Sequence, residues 1–136
     1  KREIDAGMDS ANFYKNFQKK ANIVKDDLLN FLIKAKQDGK KVAAYGAAAK
    51  GNTLINYGGI RPDLLSYVVD RSPSKHGKYM PGSHIPIHTE QFLKDDKPDY
   101  VLILPWNLKS EVTKQLSYIK KGGGNFVVAV PKLEVI

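Results

Sequence analysis

The stretch Lys41-Val-Ala-Ala-Tyr-Gly-Ala-Ala-Ala-Lys-Gly-Asn-Thr53 decides the fold of this chain. A short apolar run, Lys41–Gly46, enters a turn spaced Gly46-x-Ala48-x-x-Gly51, and a helix over Gly51–Tyr57 is predicted to follow. In an α/β fold this junction aims backbone N–H groups and the positive end of a helix at a phosphate. Leu65–Asp70 reads as the next strand, and Asp70 closes it about 20 residues downstream, where a ribose-binding acid is expected. The whole unit reads as one βαβ nucleotide-binding half.

The turn departs from two better-known phosphate loops. Ala48 stands where the dinucleotide fingerprint has its middle glycine, and its methyl group keeps a pyrophosphate off the backbone. Gly46 to Thr53 also comes close to a P-loop, but Asn52 occupies the position of the phosphate-binding lysine, which argues against NTP hydrolysis. Two readings stand side by side: a ligand turn, and a small-residue seam that only lets a helix pack closely on the strand.

Composition narrows the field. At 136 residues the chain suffices for one domain with a real core. No apolar run approaches the ~18 residues that span a bilayer, and Lys1-Arg-Glu-Ile-Asp5 lacks the apolar segment of a signal peptide. The expectation is a soluble cytoplasmic protein with no membrane partner. With no cysteine there is no disulfide scaffold and no thiolate metal site, and His76, His84 and His88 are read as polar-site or surface residues, so no metal is assigned. The formal net charge of +8 raises the question of nucleic acid. The lysines are scattered, however, without the interleaved aromatics of a base-stacking platform. Solvated helix faces and a phosphorylated small ligand or acidic partner domain account for the charge better.

Along the chain, Ser10 to about Gln37 reads as one long helix. Phe13, Phe17, Ala21, Val24, Leu28, Phe31, Leu32 and Ala35 recur at three- and four-residue spacing, with Asp9 or Ser10 as N-cap and Gly39 as the stop. This helix has no strand before it, so residues 1–38 read as a connector and residues 39–136 as the domain proper. The absence of an initial methionine suggests a segment of a longer protein. Further strands are predicted at His84–Ile87, Tyr100–Leu104 and Asn125–Val130, and further helices at Thr89–Lys94 and Asn107–Lys121, with Thr89 and Asn107 as N-caps. Alternating strands and helices mean a three-layer, Rossmann-like α/β domain with a mainly parallel five-stranded sheet, ordered 3-2-1-4-5. The long irregular stretch Arg71–Ser83 and the tripeptide Pro105-Trp106-Asn107 both leave strands at the edge where such sheets bind ligands.

Three motifs carry a family resemblance: Tyr45-Gly-Ala-Ala-Ala-Lys-Gly-Asn-Thr-Leu54; Val69-Asp-Arg71 with Pro81-Gly-Ser-His-Ile-Pro-Ile87; and Pro98-Asp-Tyr-Val-Leu-Ile-Leu-Pro-Trp-Asn107. Together they resemble the C-terminal domain of S-adenosylmethionine-dependent sugar C-methyltransferases, which methylate a ring carbon of nucleotide-linked deoxysugars. The resemblance implies upstream zinc-binding and methyltransferase domains that hold S-adenosylmethionine and the general base, leaving this segment without a cofactor or catalytic residue of its own. It implies a nucleotide-linked sugar and the upstream methyltransferase domain as partners.

The matching positions then take candidate roles. Gly46, Ala47, Ala48 and Gly51 offer main-chain N–H groups to a phosphate or sugar, or serve helix–strand packing. Lys50 supplies a positive charge or is merely solvated. Asn52 and Thr53 cap the helix or donate to the ligand. Asp70 accepts from a hydroxyl or holds the following turn. His84, in its short strand, is a structural histidine or a ligand contact; Trp106 stacks on a base or fills the core; Asn107 caps its helix. The alternatives are an independent coenzyme-binding Rossmann module and a scaffold that binds nothing.

Overall fold

The computed structural model describes the backbone of residues 2–47 and 49–136 and the side chains of residues 15–47 and 51–136. Its elements are α1 (Arg2–Gln37), β1 (Val42–Tyr45), α2 (Ala49–Tyr57), β2 (Val68–Val69), β3 (Ile87–His88), α3 (Glu90–Asp96), β4 (Tyr100–Ile103), α4 (Lys109–Gln115), α5 (Tyr118–Lys121), β5 (Asn125–Val128) and β6 (Glu134–Val135). Short 3-10 turns stand at Pro73–Lys75 and Trp106–Leu108. Among the described residues, no helix is long and apolar enough to cross a membrane.

The strands form one sheet ordered β3-β2-β1-β4-β5-β6. The first five are parallel, in the order expected, with Ala44 of β1 opposite both Val68 and Leu102. The sixth is an addition: β6 runs antiparallel to β5. It has two exposed residues and no apolar run, so nothing in the sequence marks it.

Both faces of the sheet are covered. Val42 and Ala44 point into one core with Leu28, Leu32 and Ala35 of α1 and Ile55 of α2. Ala43 and Tyr45 point into the other, with Leu93 of α3, Val112 of α4, Leu116 just after it, and Ile119 of α5. This explains the unbroken apolar run of β1, all of it buried. The helix ends follow from local chemistry. Beyond α1, Gly39 takes φ +73, its N–H bonds the Lys36 carbonyl, and Lys40 N–H bonds that of Ala35. These two bonds close orphan carbonyls, and a left-handed residue is needed to make them. Thr89 caps α3 as expected, accepting from Phe92 N–H at 3.1 Å.

Several boundaries move. The α1 helix begins at Arg2 rather than Ser10, so Asp9 and Ser10 lie inside it. Glu3, Ala6 and Met8 favour helix, and propagation does not require the apolar stripe to continue. The expected burial of Phe17 is not seen, since it is 59% exposed, and the side chain of Phe13 falls outside the described residues. The predicted helix over Asn107–Lys121 is three pieces, because Ile119 N–H bonds Leu116 and tightens the chain into a turn after α4. Asn107 is no cap: it sits in the 3-10 turn, Leu108 precedes α4 without a side-chain cap bond, and Leu108 N–H is taken by Pro105 O. His84 is not in a strand. Met80 N–H bonds Ile85 O and Ile87 N–H bonds Lys78 O, so the chain doubles back through a turn that puts His84 at φ +60 before β3 begins.

Two features of the packing are open to test. Helix α2 sits so close to β4 that a Cβ on Gly51 would lie 2.7 Å from Leu104 Cβ. Overpacking costs about 1–3 kcal/mol, and a valine regains under ~1 kcal/mol of helix propensity over glycine. Gly51→Val is therefore expected to lose about 2 kcal/mol in urea unfolding; an unchanged midpoint would contradict the close approach. At the other end of β1, Lys41 Nζ and Tyr67 Oη bond the two carboxylate oxygens of Asp96, at 2.9 and 2.7 Å. Desolvation pulls the Asp96 pKa up, but these hydrogen bonds and the Lys41 charge outweigh it, leaving it below the ordinary 3.8. A depressed carboxylate stabilises the fold above its unfolded pKa and loses that contribution as pH falls through the folded value. Tyr67→Phe should therefore lower stability at pH 7 and lessen its fall below about pH 4; parallel pH–stability curves would rule out the coupling.

Candidate functional site

The sheet changes direction of winding between β1 and β4: α2 leaves β1 on one face, and α4 leaves β4 toward the other. Open α/β sheets bind ligands outside the strand ends at such a point. The glycine turn, the start of the Asp70 loop and Pro105-Trp106 all lie on this edge.

Direct contacts hold the three together. Gly46 has φ +99, and a Cβ there would stand 2.6 Å from Pro105 Cδ, so the turn after β1 presses against the turn after β4. Gly46 N–H bonds Val69 O at 2.7 Å. Ala47 is gripped at both ends of its backbone. Its N–H donates to Asp70 Oδ2 at 2.7 Å, and its carbonyl accepts from Lys75 Nζ at 2.8 Å. The other Asp70 oxygen accepts from Ser72 N–H at 2.8 Å, which closes the turn after β2. Lys75 Nζ lies 3.7 Å from the Asp70 carboxylate, and His76 Nε2 lies 2.6 Å from the Asp70 carbonyl oxygen. Asp70 therefore does hold the following turn, and it splices that turn to the glycine turn as well. The N–H groups of Gly46 and Ala47 are already bonded within the protein, leaving the first turn of α2 as the local source of N–H groups for an anion.

Asn52 and Thr53 lie inside α2, so neither caps it. The Asn52 Oδ1 is buried and has no hydrogen-bond partner. An unmet acceptor of that kind costs about 1–3 kcal/mol. Ala48 and the side chain of Lys50 fall outside the described residues. On the opposite face, Gln115 Nε2 donates to Tyr45 Oη at 3.0 Å and to Glu90 Oε1 at 2.8 Å, which ties α4 and α3 to the end of β1. Burial pushes the Tyr45 phenol above its ordinary value of 10.0, so this hydroxyl stays protonated around neutral pH.

Trp106 is half-buried against the second core. Beside it, a cleft of about 240 Å³ opens between Lys109, Val130, Pro131 and Lys132. A larger cavity, about 380 Å³, includes Pro98 and Gly124, which precede β4 and β5, and so belongs to the opposite edge. His84 is not brought to the glycine turn: its loop docks through Asn56 Nδ2 on Pro81 O, two turns along α2. Asn107 is on the right edge and exposed. Sequence reasoning did not single out Lys75, Glu90 or Gln115. Of these only Lys75 carried a signal, as a lysine in the long loop directly after Asp70. Among the described residues, no group of His, Asp and Glu is placed to hold a metal ion.

Removing the splice has a measurable consequence. Asp70→Ala should cost roughly 2–3 kcal/mol, since bonds to a charged acceptor are lost and Ala47 N–H is left unpaired. Lys75→Met should cost under about 1 kcal/mol, because its side chain is 40% exposed and water screens the ion pair. Hydrogen exchange at the Ala47 and Ser72 amides should accelerate in the first variant, and unchanged rates there would dismiss the splice.

Residues 1–131 match a family described as the C-methyltransferase C-terminal domain. The C-methyltransferase NovU of Streptomyces niveus is 31% identical over 134 residues, covering 98% of this chain and 32% of that protein. The chain thus spans about a third of the length of that relative. Among solved structures, a UDP-D-quinovosamine 4-dehydrogenase from Vibrio fischeri matches with a TM-score of 0.50 and 19% identity, over 71% of this chain and 93% of that one. That likeness concerns the fold alone and agrees with the Rossmann-like sheet. The order of the motifs, the doubly wound sheet and the match over nearly the whole sequence lead to one assignment: the chain belongs to the family of C-methyltransferase C-terminal domains.

Proposed function

We propose that this domain helps to bind a nucleotide-linked deoxysugar at the edge where β1, β2 and β4 end, and closes the cleft over a methyltransferase domain of the same parent chain. The observation that carries this reading is the splice of three loops at the winding point of the sheet, where Asp70, Lys75 and Pro105 fix the glycine turn before any ligand arrives. A fixed turn spares a ligand the entropy of ordering it. In this reading the first turn of α2 and Lys50 face the phosphates. Trp106, with the cleft that it lines beside Lys109, Lys132 and Glu134, receives the base. The parent's S-adenosylmethionine supplies the methyl group from outside this segment, and the chain's own residues only bind and orient.

One observation weighs against the runner-up, an independent coenzyme-binding module. A ribose-binding acid must present its oxygens to hydroxyls, whereas both Asp70 oxygens are bonded to backbone N–H groups. Ala48 adds a methyl group where a pyrophosphate would press on the backbone.

The test is nucleotide-sugar affinity in the parent enzyme. A charge-assisted bond is worth about 1.5–3 kcal/mol, so Lys50→Ala should weaken binding by ~10- to 100-fold. Lys121→Ala, at the end of α5 on the opposite edge, should change it little. Equal affinities for the two variants would remove the turn from the site and favour a scaffold role.

A further inference from the structure

The apolar stripe of α1 outruns the body it packs on. At 100° per residue, Phe17, Val24, Leu28, Phe31, Leu32 and Ala35 fall within an arc of about 100°. Leu28, Leu32 and Ala35 are buried in the first core, and Val24 and Phe31 pack against it. Phe17, on the same stripe, is 59% exposed, and every residue from Lys15 to Lys20 is exposed. On one flank, Gln18 and Asn22 hydrogen-bond the Tyr57 hydroxyl, and Lys25 lies over the Tyr57 ring at 5.5 Å, so this stretch is held against α2 rather than left to fray.

Its direction is fixed by connectivity. The helix ends just before β1 begins and Phe31 meets Tyr100 at the start of β4, with ring centroids 5.0 Å apart. The residues ahead of Val24 lie against Tyr57, the last residue of α2, and so away from the glycine turn from which α2 sets out. Charge narrows what covers them. From Ser10 to Lys25 the sequence holds Lys15, Lys19, Lys20 and Lys25 and no Asp or Glu. Two copies paired through this stretch would set lysines against lysines, at a like-charge cost. An acidic rim around an apolar groove fits instead, and a chain built like the Streptomyces relative has about two thirds of its length outside the part matched here.

We propose that residues 15–23 of α1 are the seat of the parent's methyltransferase portion, with Phe17 entering an apolar groove and Lys20, about 60° round the helix from it, meeting acids at its rim. This rests on the reading above only in that the parent carries such a portion. Hydrogen exchange on the 136-residue chain and on the full parent tests it. Amides 15–23 should exchange at least ~10-fold more slowly in the parent, as expected for a helix covered by a partner. Phe17→Ser with Lys20→Glu should abolish that slowing, while the β1 amides keep their rates and show that the fold survives. Equal rates in the two proteins would overturn the proposal. So would dimerisation of the 136-residue chain that Phe17→Ser abolishes, or slowing that requires anionic vesicles. Nucleotide-sugar titration of the same parent separates the two readings. Slowed amides without sugar-nucleotide binding would leave docking standing alone, and intact binding with unprotected amides would overturn docking alone.

Discussion

Coverage of β1 on both faces is the constraint from which the rest of the structure follows. Its residues are small in the middle and buried throughout, so helices approach closely from either side. On one side α1 and α2 close over Ala44, and α2 comes near enough to β4 that Gly51 has no room for a side chain. On the other, α3, α4 and α5 close over Ala43 and Tyr45. A strand buried in this way has no edge to spare, so β2 and β4 must flank it. The winding point, the edge where open α/β sheets bind ligands, is thereby placed beside β1.

At that edge, hydrogen bonding decides more than the glycine spacing does. The glycine turn resembles a phosphate loop, but the N–H groups of Gly46 and Ala47 are bonded to Val69 O and the Asp70 carboxylate. What the turn retains is rigidity: the acid that closes β2 and the lysine five positions later lock the loops in one arrangement. For the ligand role proposed above, such rigidity means that affinity is not spent on ordering the loops. The same logic extends to α1, whose Tyr57 contacts hold an exposed basic stretch in a defined direction.

Much of this was legible from the residues. The two-sided strands at residues 41–46, 100–104 and 125–130 announced themselves by unbroken apolar runs, and the alternation with helical segments gave the parallel order. Thr89 and Gly39 marked helix ends because capping is a local interaction between neighbours in sequence. His84 and Asn107 differ from that reading although the deciding bonds are local there too. A short apolar flank looks like strand, and Asn before a helical stretch looks like a cap, until bonds from Met80, Ile85 and Pro105 settle the backbone elsewhere.

The sequence by itself determined the layer architecture, the order of the five parallel strands and the family, since these rest on periodicity and on motifs read in order. Tertiary structure alone decided the state of the site. Whether an N–H is free, whether Asp70 faces a ligand or Ala47, and whether Phe17 is inside or outside depend on residues 23 or more positions away. No local pattern encodes those distances; only the closed sheet and the helices packed on it bring such residues together.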